Sequence, residues 1–230
     1  MSMNPQQRMS MEMELNRTEN QFLSYRRVKR MLDVVSSAFI LVFISPLLLL
    51  VYLAIAITDG RPAVFKQVRT GVNGVPFTIY KFRSMRLAHK QVPAPNQAKA
   101  NYDEWTDGVP DDFVFKSGFN PNVTKLGAFL RKTSLDELLQ FYNVLKGDMS
   151  IIGPRPEVPQ ITDKYNAHQR QRLLVKPGIT GWAQVNGRSD IPHGDKIRYD
   201  LEYVQNCSLL LDVKIFLKTI QMVLLNKGSY

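Results

Sequence analysis

The chain has 230 residues, 44% of them hydrophobic, a size that suits one catalytic domain with accessory segments. Its 30 Lys and Arg against 20 Asp and Glu give a net charge of +10, which favours polyanionic partners such as nucleic acid, anionic lipid or a phosphorylated substrate. The single Cys207 excludes an internal disulfide and a cysteine-rich zinc site, and the scattered His89, His168 and His193 form no metal cluster in the sequence.

Residues 1–25 are polar and rich in Met, show no clear periodicity, and read as a loose or weakly helical tail. Residues 34–57 carry no charge, stand between Asp33 and Asp59, and are long enough as a helix to reach across a bilayer core. Basic residues flank both ends: Arg26, Arg27, Lys29 and Arg30 before, then Arg61, Lys66 and Arg69 after. Basic residues favour the cytoplasmic side, so a straight span would place one flank on the wrong face. A re-entrant segment that enters and leaves on the same face satisfies both flanks. Pro46 lies mid-run and cannot donate an amide hydrogen bond, while Ser45 can return one to the freed carbonyl. The expectation is a helix over 26–58 that breaks at Ser45-Pro46. The competing readings are a spanning helix that tolerates its proline and a buried core helix.

Strand signals follow over 63–85, split by Gly71-Val72-Asn73-Gly74; Asn-Gly between β-rich runs predicts a hairpin. Residues 87–110 read as a loop-rich excursion, 126–145 as helical, 160–175 as helical again and 177–187 as turn-rich around Trp182. Residues 197–225 are apolar at helical spacing, suited either to a helix lying in a membrane interface or to one packed in the core. The fold class expected is α+β: a mostly helical catalytic domain over 59–230 with a small β-hairpin, an N-terminal re-entrant membrane helix and amphipathic interfacial helices.

The chemistry centres on Thr133-Ser134-Leu135-Asp136-Glu137. Ser134 and Glu137 fit the spacing of a capping box, which by itself says only that a helix opens here. A carboxylate in a first helical turn is held ionised by the helix dipole, and an ionised Asp can attack phosphorus to form an acyl-phosphate. The neighbouring Glu137 can hold a Mg2+ that neutralises a pyrophosphate. Arg131 and Lys132 lie just upstream. Gly153-Pro154-Arg155-Pro156 places one arginine between two prolines, and a rigidly held guanidinium suits two-point phosphate binding. The plainer reading of Arg155 is a surface salt bridge.

These stretches together resemble the bacterial sugar transferases that act on undecaprenyl phosphate, the monotopic phosphoglycosyl transferases. The resemblance rests on Lys29-Arg30-Met31-Leu32-Asp33, Ser45-Pro46, Phe65-Lys66-Gln67-Val68-Arg69 with Gly71, Lys81-Phe82-Arg83-Ser84-Met85 and Val123-Thr124-Lys125-Leu126-Gly127. It continues through residues 131–138 and 143–150, Gly153-Pro154-Arg155-Pro156 and residues 176–188. Each motif is short, but their number and order are specific, and the match runs from about Arg27 to Tyr230. Larger relatives carry a four-helix membrane domain ahead of this region, so the chain looks like the compact catalytic form. Leu139 departs from the usual Pro after Asp-Glu-Leu, and Cys207 stands in a slot often aromatic.

The resemblance implies Asp136 as nucleophile and Glu137 as its partner linked to Mg2+. It also implies Arg155 as a phosphate-holding residue and Arg131, Lys81 and Arg83 as basic residues near the site. Ser45-Pro46 matches the break of the re-entrant helix, and Lys29-Arg30 a basic anchor at the headgroups. The implied partners are a UDP-sugar, undecaprenyl phosphate and membrane lipids, with a homodimer left open. The implied location is the cytoplasmic face of the bacterial inner membrane. A non-catalytic, membrane-anchored scaffold or polyanion-binding protein is the rival reading; no stacking motif beside the basic residues supports nucleic acid. Direct attack without a covalent intermediate is a further alternative, and neither the sugar nor the pathway is legible.

Overall fold

In a computed structural model of the chain, the described residues are 5–87, 104–114, 120–187 and 191–225, so most of the excursion expected over 87–110 lies outside them. The first element is a helix, α1, over Pro5–Thr58. It begins 29 residues before the apolar run, so the segment expected to be a loose or weakly helical tail is helical and continuous with that run. From Leu23 to Thr58 it is long and apolar enough to cross a membrane, and little of it is buried. Helical structure continues through Pro46, where the sequence predicted a break. The physical reason is local. Proline leaves the carbonyl four residues back without its donor, and the Ser45 hydroxyl donates to that carbonyl, on Val42, at 2.8 Å.

Strand β1, Val64–Thr70, pairs antiparallel with β2, Pro76–Phe82, from Val64 opposite Phe82 to Thr70 opposite Pro76. The connection turns at Asn73 and Gly74, both with positive φ of 56° and 81°, as the Asn-Gly signal predicted.

The stretch expected as one helix over 126–145 is two helices: α2, Lys125–Lys132, and α3, Gln140–Lys146, separated by a 3-10 turn at Leu135–Glu137. Ser134 stands before that turn in the left-handed region, with φ of 56°, and cannot continue a right-handed helix. Three-residue strands β3, Ser150–Ile152, and β4, Gly178–Thr180, then form a parallel pair that no sequence signal announced. Between them the helical stretch resolves into α4, Pro159–Thr162, α5, Ala167–Arg170, and a 3-10 turn. Helix α6, Trp182–Gly187, follows β4, and the C-terminal apolar stretch divides at Cys207-Ser208 into α7, His193–Asn206, and α8, Leu209–Leu224.

Both ends of the apolar part of α1 are attached to this domain. At one end Asp33, 5% exposed, accepts the Ile151 amide at 3.0 Å; at the other Asp59 accepts the Thr124 hydroxyl at 2.8 Å. Val51 and Ile55 are buried with Ala63, Phe82 and Leu130, while Phe39, Val42, Phe43, Leu49 and Leu50 between the two attachments are exposed.

Candidate active site

The Asp136-Glu137 pair sits in the 3-10 turn between α2 and α3. Leu135 and Leu139, on either side of it, pack against the cluster that holds the last turns of α1, so the dyad is seated at the foot of the apolar helix. Ser134 makes no capping bond, which removes the expected capping box and the helix-dipole argument built on it. Burial and the charge of Glu137 instead push the Asp136 carboxyl up to about 6, against the pull of Lys81, Arg131 and Arg155. It remains mainly ionised at neutral pH.

Glu137 is the hub. Lys81 reaches its Oε1 at 2.8 Å, and Arg155 grips both oxygens, Nη2 to Oε1 at 2.5 Å and Nη1 to Oε2 at 3.3 Å. Burial alone would raise the Glu137 carboxyl. The two cations together outweigh it and hold the group well below the usual carboxylate range. Lys81 is in turn lowered, by burial and by the nearby charge of Arg155. Its strand is fixed to α3 by the fully buried Asn143, whose Nδ2 donates to the Thr78 carbonyl at 2.7 Å and whose Oδ1 accepts the Tyr80 amide at 3.0 Å.

Not every residue singled out in the sequence converges here. Arg131 lies near Asp136 and donates through Nε to Ser84 at 2.9 Å. Arg83 turns elsewhere: its Nη2 donates to the Asp59 and Gly60 carbonyls at 2.8 and 2.7 Å, just past the end of α1. That helix has no basic residue in its last turn, so Arg83 supplies the charge that a helix C-terminus favours. Lys29 and Arg30 also bond within the protein. Lys29 pairs with Asp212 at 2.8 Å, and Arg30 donates to the Val144 and Leu145 carbonyls, at 2.6 and 2.9 Å, at the end of α3. Tyr25 and the buried Tyr203 complete the Asp212 cluster at 3.0 and 2.8 Å. Ser45 and Pro46 are exposed, far along α1 from the dyad in sequence.

The arginine between two prolines is mounted on a glycine corner. A Cβ on Gly153 would meet the Lys176 carbonyl at 2.3 Å, one on Gly178 the Gly153 amide at 2.1 Å, and one on Gly181 the Gly153 carbonyl at 2.1 Å. Only hydrogen at all three positions lets the chain leave β3 this close to β4. Beneath the loop lies a charge pair the sequence reading missed: Arg172, 3% exposed, with Asp200, 1% exposed, at 2.6 Å. Its one signal was a carboxylate at the same helical spacing as the apolar Ile197 and Leu201 of α7.

Among the described residues no group of three or more His, Cys, Asp or Glu could hold a metal by itself. The dyad still suits Mg2+, which takes one or two carboxylates and completes its shell with water and substrate phosphate. Asp136 has no hydrogen-bond partner among the described residues, which leaves its oxygens available beside Glu137. An ionised carboxylate flanked by cations and a second carboxylate is equipped for nucleophilic attack on a phosphoryl centre.

The family model described as "Bacterial sugar transferase" matches residues 24–226. The chain is 45% identical over 172 residues to "Galactosyl transferase CpsE" of Streptococcus agalactiae, covering 74% of this chain and 36% of that protein. It is 41% identical over 224 residues to "Undecaprenyl-phosphate galactose phosphotransferase" of Salmonella typhimurium, covering 96% and 46%. To "Uncharacterized sugar transferase EpsL" of Bacillus subtilis it is 40% identical over 201 residues, covering 87% and 89%. The chain thus spans less than half the length of the first two of these relatives and most of the third.

Proposed function

This chain belongs to the bacterial sugar transferase family, and from that premise we propose that it transfers a sugar-1-phosphate from a UDP-sugar to undecaprenyl phosphate. Asp136 attacks the phosphorus that bears the sugar; the bond to the UMP oxygen breaks and UMP leaves, with the phosphosugar now joined to the carboxylate as an acyl-phosphate. A phosphate oxygen of the polyprenyl phosphate attacks the same phosphorus and displaces Asp136. The product is a polyprenyl-diphosphate-sugar, the first membrane-bound step towards a surface glycan. Arg155 and Lys81 stabilise the charge that develops on the phosphoryl oxygens. Glu137, beside Asp136, would hold a Mg2+, which would neutralise charge on the pyrophosphate.

The observation that carries this reading is the position of the dyad: an ionised Asp136, flanked by Glu137, Lys81 and Arg155, at the foot of the apolar α1. An acceptor whose phosphate lies at the headgroups and whose chain lies in the bilayer needs that arrangement. The same proposal includes a re-entrant course for α1, with the tip at Ser45-Pro46 in the bilayer and the domain on the cytoplasmic face of the inner membrane. It is supported by the ties at Asp33 and Asp59 to one domain. Helix α8 supports an interfacial placement: Leu210, Val213, Leu217, Ile220 and Val223 are exposed along it, and Lys214 and Lys218 bend over the Trp182 ring at 5.0 and 4.7 Å.

UMP release measured over a panel of UDP-sugars, with and without undecaprenyl phosphate, tests the reading. The expected result is release with at least one donor, near one equivalent of UMP without acceptor, and a phosphosugar adduct on the peptide containing Asp136. Asp136→Asn abolishes both while the melting temperature holds. Near-normal turnover by folded Asp136→Asn removes the nucleophile assignment, and turnover without any acceptor-independent burst or adduct favours direct attack.

A further inference from the structure

The main chain that presents Arg155 is held at four consecutive carbonyls by four different donors. Pro154 accepts the Gly178 amide at 2.8 Å, Arg155 accepts Arg172 Nη2 at 2.9 Å, Pro156 accepts Arg69 Nη1 at 3.0 Å and Glu157 accepts the Thr70 amide at 2.9 Å. Two of the four donors are backbone amides of β1 and β4, supplied by the fold itself. The other two are guanidinium groups, and each is fixed by its own partners. Arg69 is held by Gln67 Oε1, which accepts its Nε at 3.1 Å and its Nη2 at 2.7 Å. Arg172 is held by Asp200, which accepts its Nε at 2.9 Å and its Nη2 at 2.6 Å, and by the Tyr165 hydroxyl at 2.6 Å from Nη1.

This arrangement costs more than it returns if its only purpose is to close a loop. Taking two guanidinium groups out of water requires several compensating bonds, and a neutral donor would serve a carbonyl as well. What two arginines add is rigidity from planar, multiply bonded groups on both sides of one residue. The side chain of that residue is half exposed and ends on Glu137. A long side chain on a loose loop would lose its place; the same side chain on a clamped main chain has only its own torsions left to order.

We infer that Arg69 and Arg172 are positioning residues for sugar-phosphate transfer, clamping the Pro154–Glu157 main chain so that the Arg155 guanidinium is held at Glu137 and the reacting phosphate. The inference rests on the function proposed above and adds two residues that touch neither the dyad nor the proposed substrate. Its signature is coupling: removing either clamp matters only while Arg155 is there to be positioned.

The test is a double-mutant cycle on the full chain in lipid nanodiscs, following UMP release with the best donor of the panel. Arg69→Met is expected to lower kcat roughly 10- to 100-fold with KM for the donor changed less than about threefold, since a positioned phosphate clamp acts mainly in the transition state. In an Arg155→Ala background the same substitution should change kcat less than twofold. Arg172→Lys, which keeps a charge against Asp200 but cannot reproduce the fork, should show the same pattern. Arg69→Lys should recover part of the Arg69→Met loss. Should Arg69→Met melt early, the cycle is read with Arg69→Lys, which keeps the cation near Pro156. Equal losses with and without Arg155, or no loss when Arg155 is present, overturn the inference. A wild-type chain that releases no UMP with any donor overturns the proposed function instead.

Discussion

Arg155 holds Glu137 by both carboxylate oxygens while Lys81 shares one of them, so a single carboxylate answers two cations in a half-buried site. Any divalent cation that uses Glu137 must therefore compete with a guanidinium already in place. Two opposite results follow from changing either partner. Glu137→Gln leaves Lys81 and Arg155 facing each other without their counter-charge, and UMP release should fall by about two orders of magnitude or more. Its Mg2+ dependence should change as well. Arg155→Gln removes the competitor, so Mn2+ bound to the nucleotide-free protein, counted by electron paramagnetic resonance, should bind several-fold more tightly. Unchanged metal binding in both variants removes Glu137 from the metal shell.

The contacts of α1 make a prediction about topology. Lys29, Arg30 and Asp33 before the apolar run, and Asp59 after it, all bond the same domain. Single cysteines at Ser10 and at the exposed Gln205, with Cys207→Ser, should both escape a membrane-impermeant thiol reagent applied to intact cells. Labelling at position 10 alone would establish a true span. Replacing both Ser45 and Pro46 with Leu removes the proline and the hydroxyl that answers it, and should expose position 10.

The glycine corner predicts a strongly damaging small substitution away from the dyad. Gly178→Ala puts a methyl group 2.1 Å from the Gly153 amide and 2.5 Å from its carbonyl, both backbone atoms with no rotamer to move. We expect a loss of about 3 kcal/mol or more, seen as a large drop in melting temperature. Gly74→Ala is the control: nothing lies within 4 Å of its Cβ, and only the positive φ of 81° resists, so the cost should stay near 1 kcal/mol.

His193 gives a pH signature. It is fully buried, and burial, with the charges of Arg172 and Lys196, pushes its imidazole down to about 3 from 6.5. The unfolded chain takes up this proton below pH 6.5 and the folded chain does not, so the contribution is complete above 6.5 and is lost as pH falls towards 3. Asp200, pushed up to about 6 chiefly by burial, acts in the opposite sense between 3.8 and 6. The difference in melting temperature between the wild type and His193→Phe isolates the histidine: the wild type should lose ground as pH is lowered from 7 to 5. A constant difference across that range contradicts the buried neutral imidazole.

The parts of this architecture that were legible in the sequence are those fixed by neighbours. Asn73-Gly74 announces its turn because two positive φ angles are required within two residues, and Ser45 answers Pro46 because the orphaned carbonyl lies one turn away. Asp136, Glu137 and Arg155 stood out through short motifs. What escaped depends on distant partners. The β3–β4 pair is three residues a side, too short for any alternation to register. Arg172 and Asp200 are 28 residues apart and meet only once α7 has packed. Ser134 misled for a different reason: its spacing to Glu137 suits a capping box, but its backbone takes the left-handed conformation and turns the chain before a helix can begin. The internal bonds of Lys29 and Arg30 escaped as well, because a basic pair beside an apolar run reads the same whether it faces lipid or a folded neighbour.

The ties at Asp33 and Asp59 also set how the molecule moves. Between them lie about 39 Å of helix if it runs straight. A body hung from a helix at one point can swing and roll about it, whereas one fastened at two separated points shares the helix's rotation. The turn that carries Asp136 rests on the second of those fastenings. Its height and tilt relative to the apolar arm are therefore constants of the fold, and a partner approaching along that arm meets the carboxylate at one fixed angle each time.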